Sequence, residues 1–174
     1  MILFRKERPA HMKKSSFLLT MGLCAGAFAQ SENVVRWRGF EGVITAPGVD
    51  NPVGQIHSGA GPWTARSGSA RVDLTTGEGF FDVEGLVLNG GSASGTPGPV
   101  SSVVGTLVCN AGAAGAEADI DSPATKLSST GDASLSFRIS VPASCNNPLF
   151  LIRVASGRWI ATGTRAASDA HSGY

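Results

Sequence analysis

Residues 103–109 read VVGTLVC and residues 145–152 read CNNPLFLI. These two segments, within the stretch 103–160, are strongly apolar, and each carries one cysteine. Short apolar runs bounded by Gly, Pro and Asn are typical of buried β-strands. The sequence therefore predicts a strand over 100–109 and a central strand over 149–154.

Outward from these segments, apolar and polar residues alternate with a period of two, which indicates half-buried strands. The alternation predicts strands at 34–40, 70–74, 80–88, 135–139 and 158–162. Pro123 interrupts the weaker segment 117–127 and places it on a sheet edge. With about eight to ten short strands and no helical pattern, residues 30–165 are predicted to form one all-β domain, an antiparallel β-sandwich, with a barrel as the alternative.

The same alternation selects a core. The predicted core residues are the apolar members of each strand: Trp37, Val72, Leu74, Phe81, Val83, Leu107, Leu135, Phe137, Ile139, Phe150, Ile152 and Trp159.

Residues 12–29, MKKSSFLLTMGLCAGAFA, have the three parts of a secretory signal peptide. Two lysines precede an apolar stretch, which ends in a small-x-small cleavage site before Gln30. Residues 1–29 are therefore assigned to a leader, with 1–11 as a start-site extension ahead of Met12. The apolar stretch is shorter than the roughly 20 residues that span a membrane. We expect a bacterial protein exported to the periplasm or outside the cell, without a membrane span in the mature chain, and a disordered tail over 166–174.

Cleavage before Gln30 removes Cys24 and leaves Cys109 and Cys145. A lipid anchor on Cys24 is the alternative, but Leu23 departs from the small residue that such signals place before the cysteine. An even number of cysteines in an exported chain predicts a disulfide, here Cys109–Cys145.

The charge of the body argues against nucleic acid as a partner. From Gln30 onward there are nine basic and twelve acidic residues, a net charge of −3, with a single lysine at Lys126. Nucleic-acid binding proteins generally present a basic face.

Enzymatic motifs are weak. A catalytic triad needs a histidine base, and only His57 and His171 follow the leader. His57, in a glycine-flanked stretch, is interpreted as an exposed residue, with ligand binding as the alternative. Asp82 and Glu84 share one strand face, which paired-carboxylate chemistry would also require. An enzyme is the least favoured class of function.

Three carboxylates, Glu117, Asp119 and Asp121, alternate along one extended segment. Calcium prefers six to eight oxygen ligands, so these residues form a candidate but incomplete Ca²⁺ site. The favoured interpretation is an acidic sheet edge that discourages aggregation, with no cofactor.

Trp63 follows Gly61-Pro62 in a loop-like context and is the candidate for stacking on a sugar ring. Several arginines could flank such a platform: Arg36, Arg38, Arg71, Arg138, Arg153 and Arg158. The function predicted first is a non-enzymatic structural or protein-binding module, and the alternative is a glycan- or lipid-binding protein that uses Trp63 and His57.

Overall fold

The computed structural model describes residues 33–46 and 48–166. The predicted leader 1–29 and nearly all of the predicted tail lie outside these residues. The described residues form eleven β-strands and no helix, so no helix long and apolar enough to cross a membrane occurs among them. The strands are β1 Val34–Gly42, β2 Trp63–Thr64, β3 Ser67–Asp73, β4 Glu78–Glu84, β5 Val87–Leu88, β6 Ser102–Cys109, β7 Ala118–Asp121, β8 Thr125–Lys126, β9 Ala133–Arg138, β10 Leu149–Val154 and β11 Trp159–Arg165.

Nine strands belong to one antiparallel sheet in the order β7-β6-β10-β11-β1-β3-β4-β9, and β8 pairs with β6 beside this path. β2 and β5 form a separate two-stranded ribbon. The prediction of an all-β antiparallel fold is confirmed. The predicted sandwich is not confirmed, because the nine-stranded sheet curls into a half-barrel.

The curl is visible in the aromatic core. Phe150 on β10 lies 5.8 Å between ring centroids from Phe81 on β4 and 6.3 Å from Phe137 on β9. Trp37 on β1 lies 5.4 Å from the same ring. Since β10 and β4 are separated by three strands in the sheet order, their side chains meet only because the sheet bends around them.

Two glycines permit this bend. Gly39 has a φ of +85° at the point where the pairing of β1 with β11 shifts register between Trp37 and Phe40. Such a β-bulge bends its strand and increases the local twist. Gly105 on β6 faces the core, where an added Cβ would lie 2.6 Å from the Phe150 ring and 2.9 Å from the Phe81 ring. β6 can therefore approach the aromatic cluster closely only without a side chain at this position.

The predicted core is largely correct. Nine of its twelve residues are buried, including Trp37 and Trp159, whereas Leu74, Leu135 and Ile139 are half-buried and pack against the core from its border. The predicted disulfide Cys109–Cys145 is present, and it joins the end of β6 to the segment that leads into β10.

Candidate ligand-binding trough

The outer face of β1, β3, β4 and β9 forms a shallow concavity of about 690 Å³, here called the trough. Its lining residues are Val34, Arg36, Arg71, Asp73, Glu78, Gly79, Phe80, Ser136, Phe137 and Arg138. Most of them alternate along their strands with buried core residues such as Trp37 and Phe81. The same alternation that builds the core therefore places polar side chains together on the outer face.

The antiparallel register aligns these side chains in rows across four strands. One row is Arg36–Arg71–Phe80–Ser136, and the next is Arg38–Ser69–Asp82–Ser134. Directly opposed residues of neighbouring antiparallel strands have Cβ atoms about 5 Å apart. Arg36 and Arg71 are thus immediate neighbours with the same charge.

No carboxylate neutralises these two arginines within the part of the chain that the structure describes, because no Asp or Glu oxygen lies within 4 Å of either guanidinium. Arg71 instead lies over the ring of half-buried Phe80, with 5.7 Å from its guanidinium carbon to the ring centroid. This cation–π contact holds the guanidinium against the aromatic surface of the trough. Among the described residues, Arg36 and Arg71 therefore have no carboxylate as ion-pair partner.

The acidic residues around the trough already have partners. Glu78 accepts a hydrogen bond of 2.6 Å from Arg138, and Asp82 accepts one of 2.6 Å from the Ser69 hydroxyl. Asp73 accepts hydrogen bonds from the backbone N–H groups of Thr75 and Thr76 in the turn that follows β3. A second recess of about 300 Å³ adjoins the trough and includes Arg38.

Trp63, the predicted sugar-stacking residue, is only 5 % exposed. Trp63 is the first residue of β2, and its backbone N–H donates a hydrogen bond to the Val43 carbonyl. Its own carbonyl lies so close to Gly42 that a Cβ added at Gly42 would be 2.1 Å from the carbonyl oxygen. The loop-like sequence around Trp63 therefore gave a wrong expectation: the ring is part of the core and presents no open face. Phe80 is the half-exposed aromatic residue that lies beside arginines.

His57 is exposed and lies away from the trough, where its Nδ1 contacts the carboxylate of Asp50. The same carboxylate accepts hydrogen bonds from the backbone N–H and the hydroxyl of Ser58, at 2.9 and 3.2 Å. Hydrogen bonding to His57 and then to Ser58 lowers the pKa of Asp50. The Ser58 hydroxyl contacts Asp50 and not the imidazole, so this cluster closes a loop and does not have the connectivity of a catalytic triad.

The carboxylates proposed for calcium are bonded mainly to protein donors. Glu117 accepts hydrogen bonds of 2.7 Å from the backbone N–H groups of Gln55 and Gly112. Asp121 accepts from the Thr106 hydroxyl at 2.6 Å and from Arg153 at 2.9 Å. Across residues 33–46 and 48–166, no group of three or more His, Cys, Asp or Glu side chains is arranged to hold a metal ion.

Asp119 is exposed on β7, and desolvation together with the nearby Glu117 carboxylate raises its pKa above the ordinary value for an aspartate. A raised carboxyl pKa means that the free energy of unfolding falls as the pH rises from the ordinary pKa through the folded-state pKa, and that the full loss is present above the folded-state pKa. We expect Asp119→Asn to raise the thermal midpoint at neutral pH, with the difference vanishing below the ordinary pKa, and Ca²⁺ to leave the midpoint unchanged.

Thermal unfolding across pH, with millimolar Ca²⁺ or EDTA at matched ionic strength, tests both statements. A Ca²⁺-dependent rise in midpoint that Asp119→Asn abolishes would contradict them and establish the metal site.

Asp82 and Glu84, the other carboxylate pair, have separate hydrogen-bond partners. Glu84 accepts from the Ser67 hydroxyl at 2.9 Å and from Arg66 at 3.2 Å. These contacts lower the pKa of Glu84. A general acid needs a raised pKa, so the environment of Glu84 does not suit that role.

No family model, curated protein or solved structure matches this chain. The functional interpretation therefore depends on the geometry of the protein itself.

Proposed function

We propose that the protein is a non-enzymatic binding module, exported to the periplasm or outside the cell, and that the trough is its ligand-binding surface. The observation that carries the proposal is the opposed pair Arg36 and Arg71, which has no carboxylate partner among the described residues. Like charges directly opposite each other destabilise a sheet unless something compensates them. A bound anion is the simplest compensation.

Export is supported by the leader sequence and by the Cys109–Cys145 disulfide, because such bonds persist mainly in oxidising compartments. Binding without catalysis is supported by the environments of the polar groups. Glu78 and Asp82 accept hydrogen bonds from neighbouring side chains, and His57 lies outside the trough. The trough therefore offers a preformed polar surface but no evident proton-transfer pair.

A structural or protein-binding role is the second candidate. β7 and β9 are the terminal strands of the sheet path, and a terminal strand can pair with a strand from another protein. On β9, the Ser134 carbonyl accepts a hydrogen bond of 3.2 Å from the Thr125 hydroxyl, which partly occupies this edge. The trough is therefore the better supported binding surface.

A thermal-shift panel of glycans and lipids on the purified, disulfide-bonded protein tests the proposed function. A ligand that binds only the folded state stabilises it by about 2.7 kcal/mol at one hundred times its Kd. We expect a rise in midpoint with one class of compound. The rise should be lost in the double variant Arg36→Gln/Arg71→Gln and retained in Arg165→Gln.

Arg165→Gln is the matched control because Arg165 is exposed and does not line the trough. A flat panel, or a rise that the double variant keeps in full, would contradict the trough as the ligand-binding surface.

A further inference from the structure

Arg36 and Arg71 lie in a trough that crosses four strands. Neighbouring strands are about 4.8 Å apart, so the row from Arg36 on β1 to Ser136 on β9 extends over roughly 14 Å. This length exceeds what a single small anion would contact. An extended ligand would meet the arginine pair at one end and Phe80 and Ser136 at the other.

The side chains along the trough determine which chemical group of a ligand each part of the trough can bind. Two adjacent guanidinium groups suit a carboxylate or a related planar anion, because each can donate two parallel hydrogen bonds. Phe80 offers part of an aromatic surface beside them. The hydroxyl groups of Ser134 and Ser136 are exposed along β9 and can hydrogen-bond to ligand hydroxyl groups.

The surrounding charges restrict the ligand further. Asp73, Glu78 and Asp82 lie beside the arginines on the same face. A polymer with a charge on every unit at short spacing, such as a polyphosphate or a nucleic acid, would be repelled by these carboxylates. A sugar chain in which acidic units alternate with neutral ones has more widely spaced charges and many hydroxyl groups, and the same carboxylates can accept hydrogen bonds from those hydroxyls.

We infer that the trough binds an acidic glycan, with a sugar carboxylate between Arg36 and Arg71 and a neighbouring sugar ring against Phe80. This inference rests on the proposed function and adds the chemical class of the ligand. It differs from the expectation of a tryptophan platform, since the aromatic contact comes from a phenylalanine on β4 and the charge comes from a cross-strand arginine pair.

Calorimetric titration with oligosaccharides in which galacturonate, mannuronate or glucuronate units alternate with neutral sugars tests the inference. Each probe is compared with its fully methyl-esterified form, which keeps the sugar backbone and removes the charge. We expect at least one acidic probe to bind about tenfold or more tightly than its ester, because charge-assisted hydrogen bonds are lost.

Arg36→Gln and Arg71→Gln should each weaken binding of the acidic probe by about tenfold and leave binding of the ester unchanged. Phe80→Ala should weaken binding of both the acid and the ester, and Arg165→Gln should weaken binding of neither. Each variant is first checked to be fully folded at the titration temperature, so that loss of binding reports on the site. Arg36→Lys, which keeps the charge but not the planar donor pair, should give an intermediate affinity.

The outcomes separate this inference from the proposed function. Equal affinity for the acid and the ester, lost in Phe80→Ala, would overturn the inference that the ligand is acidic. The trough would still be a glycan-binding surface. Binding of phosphatidylglycerol vesicles or inorganic phosphate without any uronic-acid probe would also overturn it, in favour of a lipid headgroup or a free anion. Absence of binding to every probe would overturn the inference and the proposed function together.

Discussion

Replacing Phe150 by alanine is expected to lower the free energy of unfolding by about 3 to 5 kcal/mol. Phe150 is fully buried, and its ring is within 6.3 Å, between centroids, of the rings of Trp37, Phe40, Phe81 and Phe137. The substitution removes the ring that joins β10 to β1, β4 and β9. It leaves a cavity that these rigid neighbours cannot fill.

Urea denaturation followed by tryptophan fluorescence measures this loss. Phe80→Ala is the matched control, because it makes the same change on the outer face, where the ring is only half-buried. We expect Phe80→Ala to lower the free energy of unfolding by clearly less than Phe150→Ala does. Equal losses for the two variants would contradict the placement of Phe150 at the centre of the core.

Removal of the disulfide is expected to have an effect of similar size. Cys109 and Cys145 are 36 residues apart in sequence, and the chain-entropy model gives roughly 3.5 to 4 kcal/mol for closing a loop of that length. Cys109 is fully buried at the end of β6. Beside the bridge, the Asn110 backbone N–H donates to the Asn146 carbonyl, and the Asn146 backbone N–H donates to the side-chain Oδ1 of Asn110. The double variant Cys109→Ala/Cys145→Ala should have a free energy of unfolding that is lower by about this amount.

Denaturant titrations of the wild type and the double variant, each with and without reductant, check the prediction. Reduction should destabilise the wild type by about as much as the double substitution does, and should not affect the variant. A wild type whose unfolding midpoint does not respond to complete reduction would contradict a stabilising role for the bridge.

The strands and the disulfide could be predicted because they depend on local patterns. Alternation identified β1, β3 and β9, continuous apolar runs identified β6 and β10, and the cysteine count left one pairing. The order of the strands could not be predicted in this way. β1 pairs with β11, more than one hundred residues later, and no local pattern specifies such a partner.

The choice of one curled sheet also depends on features that the alternation does not reveal. Gly105 reads as an ordinary strand glycine in the sequence, yet it allows β6 to approach the aromatic core closely. Gly39 lies in a bulge that shifts the register of β1 against β11. Both effects are consequences of tertiary packing. The sequence therefore predicted the class of fold more accurately than its architecture.

The candidate site was predicted only in part. Arg36 and Arg71 were among the arginines expected near a binding platform, but they lie in adjacent strands whose register brings them opposite each other. Trp63 was expected to be accessible because it follows Gly61-Pro62, and it is buried. Phe80 was missed, since in the pair Phe80-Phe81 only the inward-facing residue Phe81 was assigned a role; alternation itself requires its neighbour to face outward.

The most direct test of the trough as a binding surface is a chemical-shift titration by NMR. The isotopically labelled protein is titrated with the acidic oligosaccharide that binds most tightly, while backbone amides and arginine Nε–H groups are observed. The proposed function predicts that the largest shifts map to Arg36, Arg71 and Phe80 and to their neighbours on β9. Saturable shifts confined to another surface, such as the loop around His57 and Asp50, would contradict it.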